Sequence, residues 1–132
     1  MSTPQNSRPL SPHLSIYRWQ ITNTLSILHR ITGFGLTIGL VVLAVWLIAA
    51  AWCPDLFATL QGLLGSIVGK LFLFGWTVAF YYHLANGLRH LNWDMGQGFD
   101  LSNVTATGIF TLVFTVVLTI ATWAIVWNQG AL

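Results

Sequence analysis

Charge is what this chain has least of: eight of its 132 residues are Lys, Arg, Asp or Glu, or 6%. A water-soluble domain has roughly a quarter of its residues charged. A chain that is 55% hydrophobic and so poor in charge must have lipid as its main solvent. Cysteine is almost missing as well. With Cys53 alone, neither an intrachain disulfide nor a thiolate-held cluster can form. The net charge of +2 is too small and too scattered for a nucleic-acid surface. No phosphate loop, no CxxCH haem-attachment motif, no zinc-protease motif and no pair of carboxylates occurs. Ser26 with His29 is no hydrolase signature, because neither an orienting acid nor a nucleophile elbow accompanies it. The polar, proline-bearing stretch from Met1 to Ser15 lacks the apolar core of a signal peptide and the Arg-rich pattern of a transit sequence. A bacterial inner-membrane protein, or a processed organellar one, is therefore expected.

Three long apolar runs are present. A hydrocarbon layer about 30 Å thick needs roughly 20 residues of helix to cross it. Residues 31–52 and 104–127 carry no charge, and residues 66–88 carry only Lys70, near the start. Helix is the state these runs can take, since lipid offers the backbone no partners and barrel-type alternation is missing. The fold expected is all-α: one membrane-anchor domain over residues 1–132, a bundle of three transmembrane helices preceded by a cytoplasmic or interfacial segment, residues 1–30. Arg8, Arg18 and Arg30 precede the first run and Arg89 follows the second, whereas the first connection holds only Asp55. The positive-inside rule puts the N-terminus in the cytoplasm or matrix. Lys70 can snorkel to the outer interface. Proline is missing between Pro12 and Pro54, so the first helix can start near Thr22, well before the hydrocarbon.

Some polar residues need an explanation. Ser26, His29 and Arg30 share one helix face at headgroup depth. They can hydrogen-bond the carbonyl of an amphipathic ligand, or Arg30 can bind lipid phosphate while Ser26 bonds its own backbone. His83 lies inside the second run, where ionisable residues are rare and usually face a site or a polar cavity. The plainer reading is a neutral histidine bonded to a neighbouring helix. His90 follows on the same face, but about 10 Å along the axis, too far for both to ligate one metal. A second ligand would have to come from another segment or chain. Gly87, one turn after His83, leaves room for a flat macrocycle. A haem with its iron at depth and its propionates at the basic interface fits this layout. Asp94 can pair with Arg89 or Arg30, carry a proton, or be a plain loop carboxylate. Gly35 and Gly39 form a small-xxx-small pair, a spacing that also arises by chance, and the threonines at 107, 111, 115 and 119 read as a packing stripe.

Two stretches taken in order resemble a known family. Arg8-Pro9-Leu10-Ser11-Pro12-His13-Leu14-Ser15-Ile16-Tyr17 is followed by Ser26-Ile27-Leu28-His29-Arg30-Ile31-Thr32-Gly33. Later come His83-Leu84-Ala85-Asn86-Gly87-Leu88-Arg89-His90-Leu91 and Trp93-Asp94. This pattern is similar to the cytochrome b556 membrane-anchor subunits of succinate dehydrogenase, respiratory complex II. The resemblance implies a subunit of a tricarboxylic acid cycle and respiratory-chain enzyme that catalyses nothing alone. It implies as partners a second anchor subunit, an iron–sulfur subunit and a flavoprotein, with electrons passing from succinate to ubiquinone. It implies haem b shared between the two anchors, with His83 as axial ligand to the iron. Ser26 and Arg30 match quinone-site positions, and His29 and Arg30 match positions near the haem propionates. His90 is a further candidate at the cofactor. Two rivals are a haem-free anchor, which the presence of His83 disfavours, and a small proton-translocating subunit. The second would need polar residues through the full bilayer depth, and here they cluster at one end.

Overall fold

The computed structural model describes residues 13–130, so residues 8–12 of the first family stretch, with Arg8, lie outside the described residues. A short 3-10 turn, Leu14–Ile16, leads into four α-helices: α1 (Ile21–Trp52), α2 (Pro54–Gly65), α3 (Ile67–Asp94) and α4 (Leu101–Asn128). Among the described residues there is no strand. The three long helices are each apolar and long enough to cross a membrane. At 32 residues α1 is about 48 Å long, so it outruns a hydrocarbon layer of about 30 Å. It begins at Ile21, one residue before the expected start, and Ser26, His29 and Arg30 are helical.

The middle position belongs to α3, which packs on α1 along one side and on α4 along the other. Contact between α1 and α4 is smaller, and includes a close approach of Leu25 to Gly108, where a Cβ would come within 2.9 Å of Leu25 Cδ1. The threonine stripe of α4 does pack: Thr111, Thr115 and Thr119 are buried. Thr111 and Thr115 donate their hydroxyls to the carbonyls one turn back, at 3.0 and 2.7 Å, which keeps these polar groups satisfied away from water. Gly35 and Gly39 do not act as a pair within the chain. Gly39 receives the Trp76 indole, whereas Gly35 has nothing near it.

The connection between the first two spans, read from the sequence as a loop, contains α2. Pro54 opens it at a position where a missing N–H costs nothing, and Asp55 lies in the first turn where the helix dipole favours an anion. Trp46 of α1 fastens it, donating its indole N–H to Gln61 Oε1 at 3.0 Å and packing 5.4 Å from Phe57. The turn into α3 is tight. Ser66 caps α3 by accepting from the Gly69 N–H at 3.1 Å and donates to the Leu63 carbonyl at 2.6 Å. A Cβ on Gly69 would collide with the backbone carbonyls of Leu63 and Leu64, so the corner requires glycine. Gly69→Ala is expected to lower stability by about 1–3 kcal/mol through a forced backbone shift. Gly62→Ala on α2, which meets nothing within 4 Å, should be neutral or stabilising by up to about 1 kcal/mol. Thermal unfolding midpoints of the two variants in detergent check this contrast.

Candidate functional site

The second half of α3 carries two neighbouring stripes. Tyr82, Ala85, Asn86 and Arg89, at i, i+3, i+4 and i+7, are all buried. His83, Gly87 and His90, each one position further on, form the stripe beside them, and its two imidazoles pack against α1.

His29 of α1 meets this second stripe. Its ring stacks on His83, with centroids 3.9 Å apart and planes 8° from parallel, and it lies 5.0 Å from His90 at a tilt of 45°. Glycines make the fit possible in both directions. A Cβ on Gly33 would come within 2.9 Å of His83 Cε1, and one on Gly87 would touch His29 Cε1 at 3.8 Å. The space beside Gly87, expected from the sequence to admit a macrocycle, is thus faced by the His29 ring. Gly33 was missed from sequence; its place one turn after His29, on the same face, was the available signal.

His83 Nδ1 lies 3.1 Å from the His29 carbonyl oxygen and 3.2 Å from Thr32 Oγ1. A carbonyl can only accept, so Nδ1 carries the proton and donates it. The free lone pair therefore belongs to Nε2. His29 Nδ1 is buried and has no partner among the described residues. His83 also borders an open groove of ≈ 680 Å³, lined by apolar side chains of α1 and α3 and by Thr37, Thr77 and Tyr81. Among the described residues, no group of three His, Cys, Asp or Glu side chains is arranged to hold a metal ion. The three histidines are brought together as packed rings, His29 stacked on His83 and tilted against His90. Ser26 is half-buried and Arg30 exposed, so Arg30 turns outward while His29 turns inward against α3.

Arg89 does not join the histidines. It is buried towards α4, donating from Nη2 to the Val104 carbonyl at 2.9 Å and from Nε to Thr107 Oγ1 at 3.0 Å, with Asn86 Oδ1 3.5 Å from Nη1. Its guanidinium sits 4.0 Å from the centre of the Trp93 ring. A cation between two apolar helices needs such oxygen partners, and α4 supplies them at its first turns. Asp94, considered from the sequence as its counter-ion, is exposed instead. The Tyr82 hydroxyl donates to the Leu25 carbonyl at 2.6 Å and so pins α3 to the start of α1.

Comparison with known proteins gives this arrangement its context. Residues 4–122 match the succinate dehydrogenase/fumarate reductase transmembrane subunit family. The chain belongs to that family. A protein of Rickettsia felis named succinate dehydrogenase cytochrome b556 subunit is 42% identical over 118 residues, covering 89% of this chain and 92% of that relative. The corresponding protein of Paracoccus denitrificans is 38% identical, over 89% of this chain and 91% of its own length. A mitochondrial cytochrome b560 subunit of succinate dehydrogenase from Sus scrofa is 36% identical, over 84% of this chain and 67% of the relative. Membership and the three apolar helices together make this an integral membrane protein of the succinate dehydrogenase transmembrane subunit family.

The Arg89 contacts lead to a stability prediction. Arg89→Ala strips the polar seam of its donor and is expected to cost about 1–3 kcal/mol, as an unpaired buried polar group does. Arg89→Lys, which keeps the charge but cannot span the same oxygens, should fall between wild type and alanine. Denaturation midpoints of the three proteins in one detergent order them.

Proposed function

We propose that this chain is the haem b-binding membrane anchor of a succinate:ubiquinone oxidoreductase. With a second anchor subunit it would hold the flavoprotein and iron–sulfur subunits on the membrane and form part of the site where ubiquinone is reduced. One observation carries the reading: the His29 carbonyl accepts a hydrogen bond from His83 Nδ1–H at 3.1 Å, which leaves the Nε2 lone pair free to serve as a ligand. Metal-bound histidines ordinarily have their second nitrogen tied to a carbonyl or carboxylate in this way. The unpartnered Nδ1 of His29 also suits a group with polar edges. The names of the relatives, cytochrome b556 and b560 subunits, point the same way.

In this reading His83 would hold the haem iron through Nε2, with a second ligand supplied by the partner anchor. His29 and Arg30 would lie near the propionates, with His90 beside His29. Bound there, haem supplies a reversible one-electron couple whose potential depends on the axial ligands and nearby charge. Ser26 and Arg30 act on ubiquinone. The Ser26 hydroxyl donates a hydrogen bond to a quinone carbonyl, whose oxygen gains negative charge as electrons arrive. Arg30 stabilises that charge electrostatically. A guanidinium serves here as a fixed charge and not as an acid, so the protons added to the quinone come from water or partner residues. Arg8 and Arg18 before α1, Arg30 near its start and Arg89 near the end of α3 favour a cytoplasmic N-terminus in a bacterial inner membrane, or its matrix equivalent in a mitochondrion.

A dithionite-reduced minus oxidised spectrum of the detergent-purified complex tests the ligand. Wild type should show a b-type α-band, and His83→Ala should lose it; a complex without the band, or a variant that keeps it unchanged, overturns the assignment. The quinone site has its own test. Ser26→Ala and Arg30→Gln should slow succinate:ubiquinone turnover by about tenfold or more. Succinate oxidation with a soluble dye acceptor should stay at the wild-type rate in both.

A further inference from the structure

The dipeptide after Arg30 and Ile31 does two separate things to His83. Gly33 sets how closely the ring approaches α1, since a Cβ there would come within 2.9 Å of Cε1. Thr32 meets the same ring at Nδ1, 3.2 Å from its Oγ1. This hydroxyl already has acceptors on its own helix, the Leu28 carbonyl at 2.8 Å and the His29 carbonyl at 3.0 Å. Its proton is therefore committed to the backbone, and what faces His83 is an oxygen lone pair.

The His29 carbonyl is crowded. It lies within hydrogen-bonding distance of the Thr32 hydroxyl and of His83 Nδ1, and it occupies the α1 ladder position that serves Gly33 one turn on. An oxygen has only two lone pairs. When the Thr32 hydroxyl turns to Leu28, it frees the His29 carbonyl for His83 and adds its own lone pair as a second acceptor. When it turns to His29, it competes for that carbonyl. The side chain thus adjusts how strongly the Nδ1 proton of His83 is held, and a more strongly accepted Nδ1 proton makes Nε2 a better electron donor.

We propose that Thr32 is a positioning residue for the axial ligand: its hydroxyl fixes the His83 ring and increases electron donation from Nε2, holding the haem potential below the value it would have without that hydroxyl. The proposal rests on the reading of His83 as haem ligand. Better donation stabilises the oxidised iron, so removing the acceptor raises the midpoint potential. Thr32→Val keeps the shape of the side chain and deletes only the hydroxyl, and Thr32→Ser keeps the hydroxyl.

The test is a redox titration of the haem band in the whole detergent-purified complex, for wild type, Thr32→Val and Thr32→Ser. Thr32→Val should retain haem and titrate at a higher potential, by up to about a tenfold change in the reduction equilibrium, or about 59 mV for one electron. Thr32→Ser should titrate with wild type. Should the valine variant fail to assemble, Thr32→Ala, which removes the hydroxyl without adding bulk, carries the same expectation. An unshifted potential in the hydroxyl-free variant, or an equal shift in the serine variant, overturns the role of Thr32 while leaving His83 as ligand. A wild-type complex without a b-type band overturns the ligand reading itself, and this inference with it.

Discussion

Between α1 and α3 three glycines each receive a ring from the opposite helix: Gly39 the Trp76 indole, Gly33 the His83 imidazole and Gly87 the edge of His29. Helices in a membrane gain little from hiding apolar surface, because lipid tails are as apolar as leucine. What holds such helices together is close fit and polar bonds between them. The ring-over-glycine contacts supply the first, and the Tyr82 hydroxyl on the Leu25 carbonyl supplies the second. Fit and bond occur along the same stretch, so the register of α1 on α3 is set from both sides. A slip of one residue would put Arg30 or Leu28 where His29 now stacks on His83, and the hydrogen bond from His83 Nδ1 to the His29 carbonyl would be lost.

The other side of α3 is fixed by a different chemistry. Arg89 donates to oxygens of α4 and has the Asn86 Oδ1 of its own helix beside it, while Tyr82 donates back to α1. Such a seam tolerates little rotation, because a cation among apolar helices that loses its oxygens has no water to turn to. Its effect on the site is indirect and firm. With Tyr82 and Arg89 committed, the intervening stripe of His83, Gly87 and His90 can only face α1. The stack of histidines is therefore a consequence of where α3 spends its polar side chains.

The three spans were legible because hydropathy and length decide them with little help from packing, and the start of α1 was within one residue because proline is missing there. Helix α2 was not legible. Its 12 residues are too few to cross a membrane, and its helical state depends on Trp46 reaching Gln61 and on the Gly69 corner, both contacts outside its own segment. At the site, the family resemblance and the spacing brought His29, His83 and His90 to one region. They did not reveal that Arg89 turns away, since its place next to His90 in sequence does not say which neighbouring helix its side chain meets. Thr32 and Gly33 were passed over for a related reason. A hydroxyl and a missing side chain acquire meaning only when the ring that fills the space is known.

The chain buries little of its own spans: in the most apolar stretches of α1, α3 and α4, 11%, 6% and 17% of residues are buried. Most of the remaining surface is apolar and suits lipid or other apolar helices equally well, so it does not say where partners sit. The polar groups discriminate better. Arg30 is exposed beside a half-buried Ser26, His29 Nδ1 is buried without a partner among the described residues, and His83 Nε2 keeps a free lone pair. Each is a valence left open at the same end of the bundle, and in hydrocarbon an open valence is costly unless something closes it. On the proposed reading the closing groups are the cofactor, the quinone and the second anchor. Anything that binds only the folded chain stabilises it. Assembly, haem binding and the folding of this end are then one coupled equilibrium.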